Sequence, residues 1–231
     1  MKSGGVAGIY LAAGSSRRMG GDINKIALPV GGRTLGSIGL ATALCSTLDH
    51  IFVVTRPDDD LSWVDGTLRE ADMGEKWTQA VCLEAANGQA ASLQCGVRAA
   101  LEAGASGVMV LLADQPFVPV ELINSLHSSF LQDWPEAAAK AKIAAASFQG
   151  AVRPPVLFAA AVFPELLRLQ GDVGARELLR NRPPHVAMRT VEAADAACFF
   201  DVDTPEDVRK AEAISRSCSE ADKENPPRNG P

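Results

Sequence analysis

Short apolar runs alternate along this chain with segments of helical length and spacing, and that alternation restricts the fold more than any other feature. The runs predicted as strands are Val6–Leu11, Ile51–Thr55, Ala80–Leu83, Val108–Leu112, Ile143–Ala146 and Val156–Phe158. The segments predicted as helices are Leu35–Leu48, Gln89–Ala103, Val120–Gln132 and Phe163–Leu169. Several runs are apolar at every position, as strands buried on both faces are. The pattern predicts an α/β fold with a mostly parallel sheet wrapped by helices, and a ligand site beyond the carboxyl ends of the strands.

Composition limits the number of domains and the kinds of partner. With 231 residues, of which 47% are hydrophobic and 22% charged, the chain can bury a full core in one domain. A net charge of −6 argues against a nucleic-acid-binding protein, since such proteins usually present a basic face. We expect one domain over residues 1–217 and a disordered polar tail over residues 218–231.

The cysteines and the first apolar run bear on the compartment. Five cysteines are scattered without a Cys-x-x-Cys pair, a pattern that predicts neither a disulfide framework nor a zinc cluster. Val6–Leu11 is too short for the apolar region of a signal peptide or for a membrane span. We therefore expect a cytoplasmic protein with reduced thiols that does not engage a membrane.

The segment Leu11–Lys25 changes abruptly from apolar residues to small residues and then to cations. Glycines allow the backbone to approach a polyphosphate, serines offer hydroxyl and main-chain N–H groups, and basic residues add charge. Neither the P-loop pattern nor Gly-x-Gly-x-x-Gly is present here. The alternative is a glycine-rich turn with solvated arginines. The nucleotide-binding residues predicted in this segment are Leu11, Ala12, Ala13, Gly14, Ser15, Ser16, Arg17, Arg18 and Lys25.

An aspartate follows the strand predicted at Val108–Leu112. Asp114 stands at the end of that strand, and Pro116 prevents the ladder of hydrogen bonds from continuing. Mg²⁺ prefers oxygen ligands and is usually held by one or two carboxylates together with substrate phosphates. We therefore predict that Asp114 binds Mg²⁺ beside the cationic segment. The alternative is an aspartate that only forms a turn at the end of the strand.

A further pair of carboxylates precedes a predicted helix near the end of the chain. Thr204 fits the N-cap of that helix and Pro205 its first position. Asp201 and Asp203 lie two residues apart in an extended segment, so both side chains project to the same face. Either can offer a second carboxylate to a metal ion, and we favour Asp203.

Taken in order, these segments resemble the MobA-like NTP transferase family, and most of all its molybdenum-cofactor cytidylyltransferase and purine-catabolism group. The resemblance covers residues 6–215 and includes Gly88-Gln-Ala-Ala-Ser-Leu-Gln-Cys-Gly96. It implies a Rossmann-like three-layer sandwich of the nucleotide-diphospho-sugar transferase type. It also implies catalysis by Lys25, Arg18 and Asp114, Mg²⁺ on Asp114 and Asp203, and nucleotide contacts from Gly88 and Ser92. For Gly88 and Ser92, helix packing is the alternative.

The resemblance places the acceptor against a later part of the chain. The acceptor-binding residues that it implies are Arg153, Pro155, Asp172, Gly174 and Arg176. Many relatives have a basic-basic-Gly-His-Pro stretch where this chain has Ala151–Pro155, so the resemblance does not fix the acceptor. An equal alternative is that Asp172 caps a helix over Gly174–Asn181 and that Arg176 is solvated.

The implied reaction moves a nucleoside monophosphate onto a phosphorylated small molecule and releases pyrophosphate. Ala13 stands where guanosine-using relatives have glycine, which favours CTP, and the subgroup favours a molybdopterin-type acceptor. A molybdoenzyme or its chaperone is then the expected protein partner. The alternatives are a sugar- or polyol-phosphate nucleotidyltransferase, and a non-catalytic nucleotide- or pterin-binding accessory protein for a molybdoenzyme.

Overall fold

The computed structural model describes residues 4–14, 24–135 and 140–224 of the chain, and its centre is a seven-stranded sheet. The seven strands are β1 (Val6–Leu11), β4 (His50–Thr55), β5 (Trp77–Val81), β6 (Gly107–Leu112), β7 (Lys142–Phe148), β8 (Ala151–Ala159) and β9 (Ala187–Glu192). Their order in the sheet is β5-β4-β1-β6-β8-β7-β9, and within this described sheet only β8 runs against its neighbours. The predicted α/β fold with a mostly parallel sheet is confirmed.

Helices cover both faces of this sheet. They are α1 (Leu35–Cys45), α2 (Ala71–Gly74), α3 (Gln89–Glu102), α4 (Val120–Leu131), α5 (Phe163–Leu166), α6 (Ala175–Arg180) and α7 (Pro205–Glu224). Neighbouring residues of a strand point to opposite faces, and β1 shows which helix lies on which face. Ile9 reaches α3, where a Cβ on Gly96 would lie 2.4 Å from its Cγ2 atom. Tyr10 reaches α1, where a Cβ on Gly39 would lie 2.8 Å from its hydroxyl oxygen. The structure is therefore the three-layer sandwich that the resemblance implied.

A small second core joins the last helix to the rest of the molecule. The two-stranded hairpin of β2 (Pro29–Val30) and β3 (Arg33–Thr34) leads into α1. Val30 and Leu35 from this region are buried together with Val202 and with Ala211 of α7. Val202 lies between Asp201 and Asp203, so this packing fixes the segment that bears both carboxylates.

Three departures from the sequence predictions concern β8, β9 and α7. β8 begins at Ala151, before the predicted start at Val156. Pro154 and Pro155 lie where the register with β7 shifts, so they do not interrupt the hydrogen bonds with β6. β9 was not predicted, since it is only partly buried and lies at the sheet edge. α7 continues to Glu224, past the predicted domain end at residue 217, because alanine, glutamate and lysine residues there favour helix. Within the described residues, no helix combines the length and the apolar character needed to cross a membrane.

Candidate active site

The neighbouring strands β1 and β6 deliver two of the predicted segments to the same edge of the sheet. Leu11 is paired with Leu112 at the ends of these parallel strands. Ala13 and Gly14 therefore follow one strand where Asp114 follows the other. The backbone N–H of Val202 donates to the Asp114 carbonyl oxygen over 2.9 Å, which brings the segment before α7 to the same place.

Lys25 connects the two aspartates that were predicted as metal ligands. It begins a short 3-10 turn, Lys25–Ala27, and its side chain is only 10% exposed. Its ammonium donates to Asp114 Oδ2 over 2.7 Å and to Asp203 Oδ1 over 2.9 Å. Burial alone would lower the pKa of Lys25, but the charges and hydrogen bonds of Asp114 and Asp203 outweigh it, and the pKa is raised. The lysine is therefore a fixed positive charge.

Asp201 lies beside this triad and has a different environment. Its Oδ1 atom accepts a hydrogen bond of 2.8 Å from Gln115 Nε2. Partial burial of the carboxyl group raises the pKa of Asp201, and the charges of Asp114 and Asp203 raise it further against the effect of Gln115. Gln115 itself is only 3% exposed. Asp201 therefore pairs with a buried amide, whereas Asp203 contacts the Lys25 ammonium.

The helix start at Thr204 has the predicted form. α7 begins at Pro205, and Thr204 Oγ1 accepts from the Asp207 backbone N–H over 3.2 Å. Asp207 Oδ2 in turn accepts from the Thr204 backbone N–H over 2.9 Å. This reciprocal capping satisfies N–H groups at the helix start and fixes the chain just after Asp203.

A cleft of about 780 Å³ opens above the triad. Its walls come from the segments after β1, β4 and β6 and from the start of α3, together with the segment before α6. Its lining residues are Leu11, Ala13, Gly14, Lys25, Arg56, Ala85, Ala86, Asn87, Gly88, Gln89, Ser92, Leu112, Asp114, Asp172 and Asp203. The two predicted metal ligands and most described residues of the predicted nucleotide site therefore share one cavity.

The start of α3 is shaped by close backbone packing. Gly88 is the N-cap of this helix, with φ 112° and ψ 178°, a conformation that residues other than glycine rarely adopt. A Cβ on Gly88 would lie 2.5 Å from the Gly171 carbonyl oxygen. Ser92 is buried one turn further along, on the cleft side. The backbone of residues 171–172 is thus packed directly against the N-terminus of α3.

Asp172 caps a different helix from the one considered in the sequence analysis. Its Oδ1 atom accepts from the Gln89 backbone N–H over 3.4 Å, at the start of α3. α6 begins at Ala175 with Gly174 as its N-cap, and no side chain caps it. The alternative in which Asp172 caps the Gly174–Asn181 helix is therefore wrong, because the Asp172 carboxylate faces the start of α3. A Cβ on Gly174 would also meet Gln89, 2.5 Å from its Oε1 atom.

Three other residues predicted to bind the acceptor, Arg153, Pro155 and Arg176, are outside the lining of the cleft. Arg176 is exposed on α6, and its charge acts on the Asp201 carboxylate. Arg153 is exposed on β8 opposite Ala146. Pro155 is buried and lines a separate void of about 10 Å³ with Tyr10 and Gln115. Of these three residues, all described by the structure, none lines the cleft.

Four residues of the predicted phosphate-binding segment lie outside the described residues, namely Ser15, Ser16, Arg17 and Arg18. Their roles in binding the triphosphate, and that of Arg18 in catalysis, stay predictions.

Sequence reasoning missed Arg56, Asn87 and Gln89, which all line the cleft. Arg56 directly follows β4, and β4 pairs in parallel with β1. The carboxyl ends of parallel strands share one edge of the sheet. A charged residue directly after such a strand was therefore the signal that could have identified Arg56 as a cleft residue.

Asp114 and Asp203 fit a hard divalent cation. Both offer carboxylate oxygens within 2.9 Å of one nitrogen atom, so the two oxygens are close enough to share a single cation. No group of three or more His, Cys, Asp or Glu residues suited to a metal occurs among the residues that the structure describes. Two carboxylates completed by substrate phosphates and water are the usual arrangement for Mg²⁺.

Comparisons with known proteins agree with this architecture. A family model for the MobA-like NTP transferase domain matches residues 8–191. The purine catabolism protein PucB of Bacillus subtilis (strain 168) is 41% identical over 215 residues, covering 91% of this chain and 99% of that protein. A probable molybdenum cofactor guanylyltransferase of Mycobacterium avium (strain 104) is 36% identical over 124 residues, 52% of this chain and 55% of that protein.

A solved structure has the same fold. The crystal structure of Rv0371C from Mycobacterium tuberculosis H37Rv in complex with manganese superposes with a TM-score of 0.63 at 23% identity, covering 90% of this chain and 98% of that one. Together with the family match over most of the sheet, these findings show that the chain belongs to the MobA-like NTP transferase family and is a nucleotidyltransferase of that family.

Proposed function

We propose that this protein transfers CMP from CTP to a phosphorylated small molecule of the molybdopterin type, releases pyrophosphate and depends on Mg²⁺. The observation that supports it most strongly is the triad of Lys25, Asp114 and Asp203 in the floor of a nucleotide-sized cleft. The triad combines a fixed cation with two metal-binding carboxylates. Both kinds of group are needed where negative charge builds up around a reacting phosphate.

The reaction needs no protein nucleophile. An oxygen of the acceptor phosphate attacks the α-phosphorus of the nucleotide, one new phosphorus–oxygen bond forms, and the bond to pyrophosphate breaks. Asp114 and Asp203 would hold the Mg²⁺, which when bound neutralises charge on the acceptor and the α-phosphate. Lys25 would turn to the α-phosphate and stabilise the charge that develops there, and Arg17 and Arg18 are proposed to hold the departing pyrophosphate.

The wall of the cleft supports a pyrimidine nucleotide. Ala13 is only 4% exposed and lines the same cleft as Gly88 and Ser92, so its methyl group would take space beside a nucleotide bound there. Gly88 and Ser92 are proposed to contact the base or ribose through main-chain groups and a hydroxyl. Glycine in place of Ala13 would leave room for a larger base.

The acceptor side is proposed to lie toward Asp201 and α6. The exposed Arg176 and the nearby Asp201 carboxylate form a charged region next to the triad. Arg153 and Asp172 are proposed to take part from β8 and from the segment before α6, with Pro155 and Gly174 shaping the two segments. An anionic pterin phosphate matches the two arginines. The similar protein of Mycobacterium avium is named for molybdenum cofactor chemistry, which supports the same class of acceptor. A molybdoenzyme or its chaperone is the proposed recipient.

A pyrophosphate-release assay tests the proposal. Four nucleoside triphosphates are combined with molybdopterin, a sugar phosphate and a polyol phosphate, with and without Mg²⁺. We expect the highest kcat/KM for CTP with molybdopterin, and none without the metal. Faster turnover of a sugar or polyol phosphate would refute the acceptor. Nucleotide binding without any release would indicate an accessory binding protein.

Two matched variants identify the site responsible. Asp114→Asn keeps the size of the side chain but removes the charge, and kcat should fall by at least about 100-fold. Asp133→Asn makes the same change at an exposed position outside the cleft and should retain wild-type activity. Equal activity of the two variants would contradict the role given to Asp114.

A further inference from the structure

In this structure a lysine ammonium lies between the two carboxylates proposed to bind the metal. Lys25 Nζ is 2.7 Å from Asp114 Oδ2 and 2.9 Å from Asp203 Oδ1. The Lys25 side chain is 10% exposed, compared with 26% for Asp114 and 36% for Asp203. The ammonium is thus held between the two carboxylates at the cleft wall, and its side chain is less exposed than either of theirs.

A divalent cation bound to these two oxygens would compete with the ammonium in its present position. Mg²⁺ lies about 2.0–2.1 Å from its oxygen ligands. Because Nζ is 2.7 Å from Asp114 Oδ2, a cation on that oxygen would lie within about 5 Å of the ammonium. Two like charges at such a separation repel each other even when partly solvated, so the ammonium lowers the affinity of the carboxylate pair for a divalent cation.

From this geometry we propose that Lys25 is an internal counter-ion that blocks divalent metal binding until a nucleoside triphosphate draws its ammonium away. This inference rests on the proposed function, since the triphosphate is the ligand that offers Lys25 a new anionic partner. Once Lys25 contacts the α-phosphate, Asp114 and Asp203 lose the positive charge that Lys25 placed between them. Their affinity for a divalent cation then rises, and by linkage the metal strengthens nucleotide binding in turn.

The arrangement also favours a definite order of binding. The described residues hold no group of three or more His, Cys, Asp or Glu side chains suited to a metal ion. The metal therefore needs phosphate oxygens to complete its coordination. The same nucleotide that supplies those oxygens removes the competing lysine. Metal binding before the nucleotide is disfavoured on both counts, which keeps the carboxylates from holding a cation when no substrate is present.

A titration of the protein with Mn²⁺ alone tests the proposal without any turnover. Binding is measured as the loss of the electron paramagnetic resonance signal of the free ion. Lys25→Met removes the charge while keeping the length, and should bind Mn²⁺ at least about tenfold more tightly than the wild type in the absence of nucleotide. Lys25→Arg keeps the charge and should bind no more tightly than the wild type. Adding Asp114→Asn to Lys25→Met should abolish the gain.

A lysine outside the site provides the matched control. Lys142 lies over the rings of Phe130 and Trp134 at the far end of the sheet, and Lys142→Met should leave Mn²⁺ affinity unchanged. Circular dichroism of each variant checks that it is folded. A folded Lys25→Met protein that binds Mn²⁺ no more tightly than the wild type overturns the proposal.

A second measurement uses the wild type and does not depend on a variant that folds. The ¹⁵N resonance of the Lys25 ammonium should be unaffected by millimolar Mg²⁺ alone and should shift on adding an α,β-methylene analogue of CTP. A shift with Mg²⁺ alone overturns the proposal. Failure of this proposal can be distinguished from failure of the proposed function. The metal and nucleotide measurements need no acceptor, so they give the same answer whether or not the protein releases pyrophosphate.

Discussion

Gly88→Ala tests whether the N-terminus of α3 is as tightly packed against residues 171–172 as the structure indicates. The new Cβ would lie 2.5 Å from the Gly171 carbonyl oxygen, 2.6 Å from its carbonyl carbon and 2.9 Å from the Asp172 nitrogen. All three are backbone atoms, so no flexible side chain can yield to the methyl group. The backbone at φ 112° and ψ 178° is also unfavourable for alanine.

The expected loss of stability combines these two effects. Holding a non-glycine residue in this backbone region costs about 1–3 kcal/mol. Forcing a methyl group into a packed site costs a further ~1–3 kcal/mol. We therefore expect the free energy of unfolding to fall by about 2–6 kcal/mol, measured by urea titration with an unchanged m-value.

A second glycine separates the two contributions. Gly32 has φ 82°, and nothing lies within 4 Å of the Cβ that Gly32→Ala would add. That variant should lose only the backbone contribution, about 1–2 kcal/mol. If Gly88→Ala is no less stable than Gly32→Ala, the close packing at the start of α3 is refuted.

Three further predictions concern the base, the core and a thiol. Ala13→Gly should raise the ratio of kcat/KM for GTP to kcat/KM for CTP by about 10- to 200-fold, measured with one acceptor. A wild type that already prefers GTP would contradict the argument for CTP. Tyr10→Phe should lower the free energy of unfolding by about 0.5–1.5 kcal/mol and leave activity unchanged, because the Tyr10 hydroxyl donates a hydrogen bond of 2.6 Å to the Gly36 carbonyl. A urea titration that shows no loss of stability would contradict this prediction. Burial and the neighbouring Cys82 raise the pKa of the Cys95 thiol to about 11. Only about one thiol in a thousand is then ionised at pH 8, so iodoacetamide should label Cys95 more slowly than the exposed Cys45, which mass spectrometry can follow.

The central strands were predictable because their signal is local. β1 has the predicted bounds, Val6–Leu11, and β6 begins one residue before the predicted Val108. Both are buried on two faces, so every position is apolar and the run ends where burial ends. β5 was predicted too late, at Ala80–Leu83, because Leu83 was counted as a strand residue although it is 80% exposed. Helix α5 ends at Leu166, earlier than the predicted Leu169.

The site was predictable in its members but not in its contacts. Asp114 and Asp203 could be selected from strand-end position and capping pattern. Their shared contact with Lys25 spans 89 and 178 positions of sequence, and no local pattern specifies it. The same holds for Asp172, whose partner Gln89 lies 83 positions away. Side chains that meet across such distances are fixed by the packing of whole elements, which sequence periodicity does not report.

The separation between Lys25 and Asp203 has a consequence for how the protein is made. All strands of the large sheet lie before Asp203, so a growing chain can assemble the sheet while one carboxylate of the triad is still to be synthesised. At about 5–20 residues per second, the ribosome needs roughly 9–36 s to pass from Lys25 to Asp203. For that whole interval the chain lacks the second carboxylate, so the triad can be completed only after every strand of the large sheet has been made.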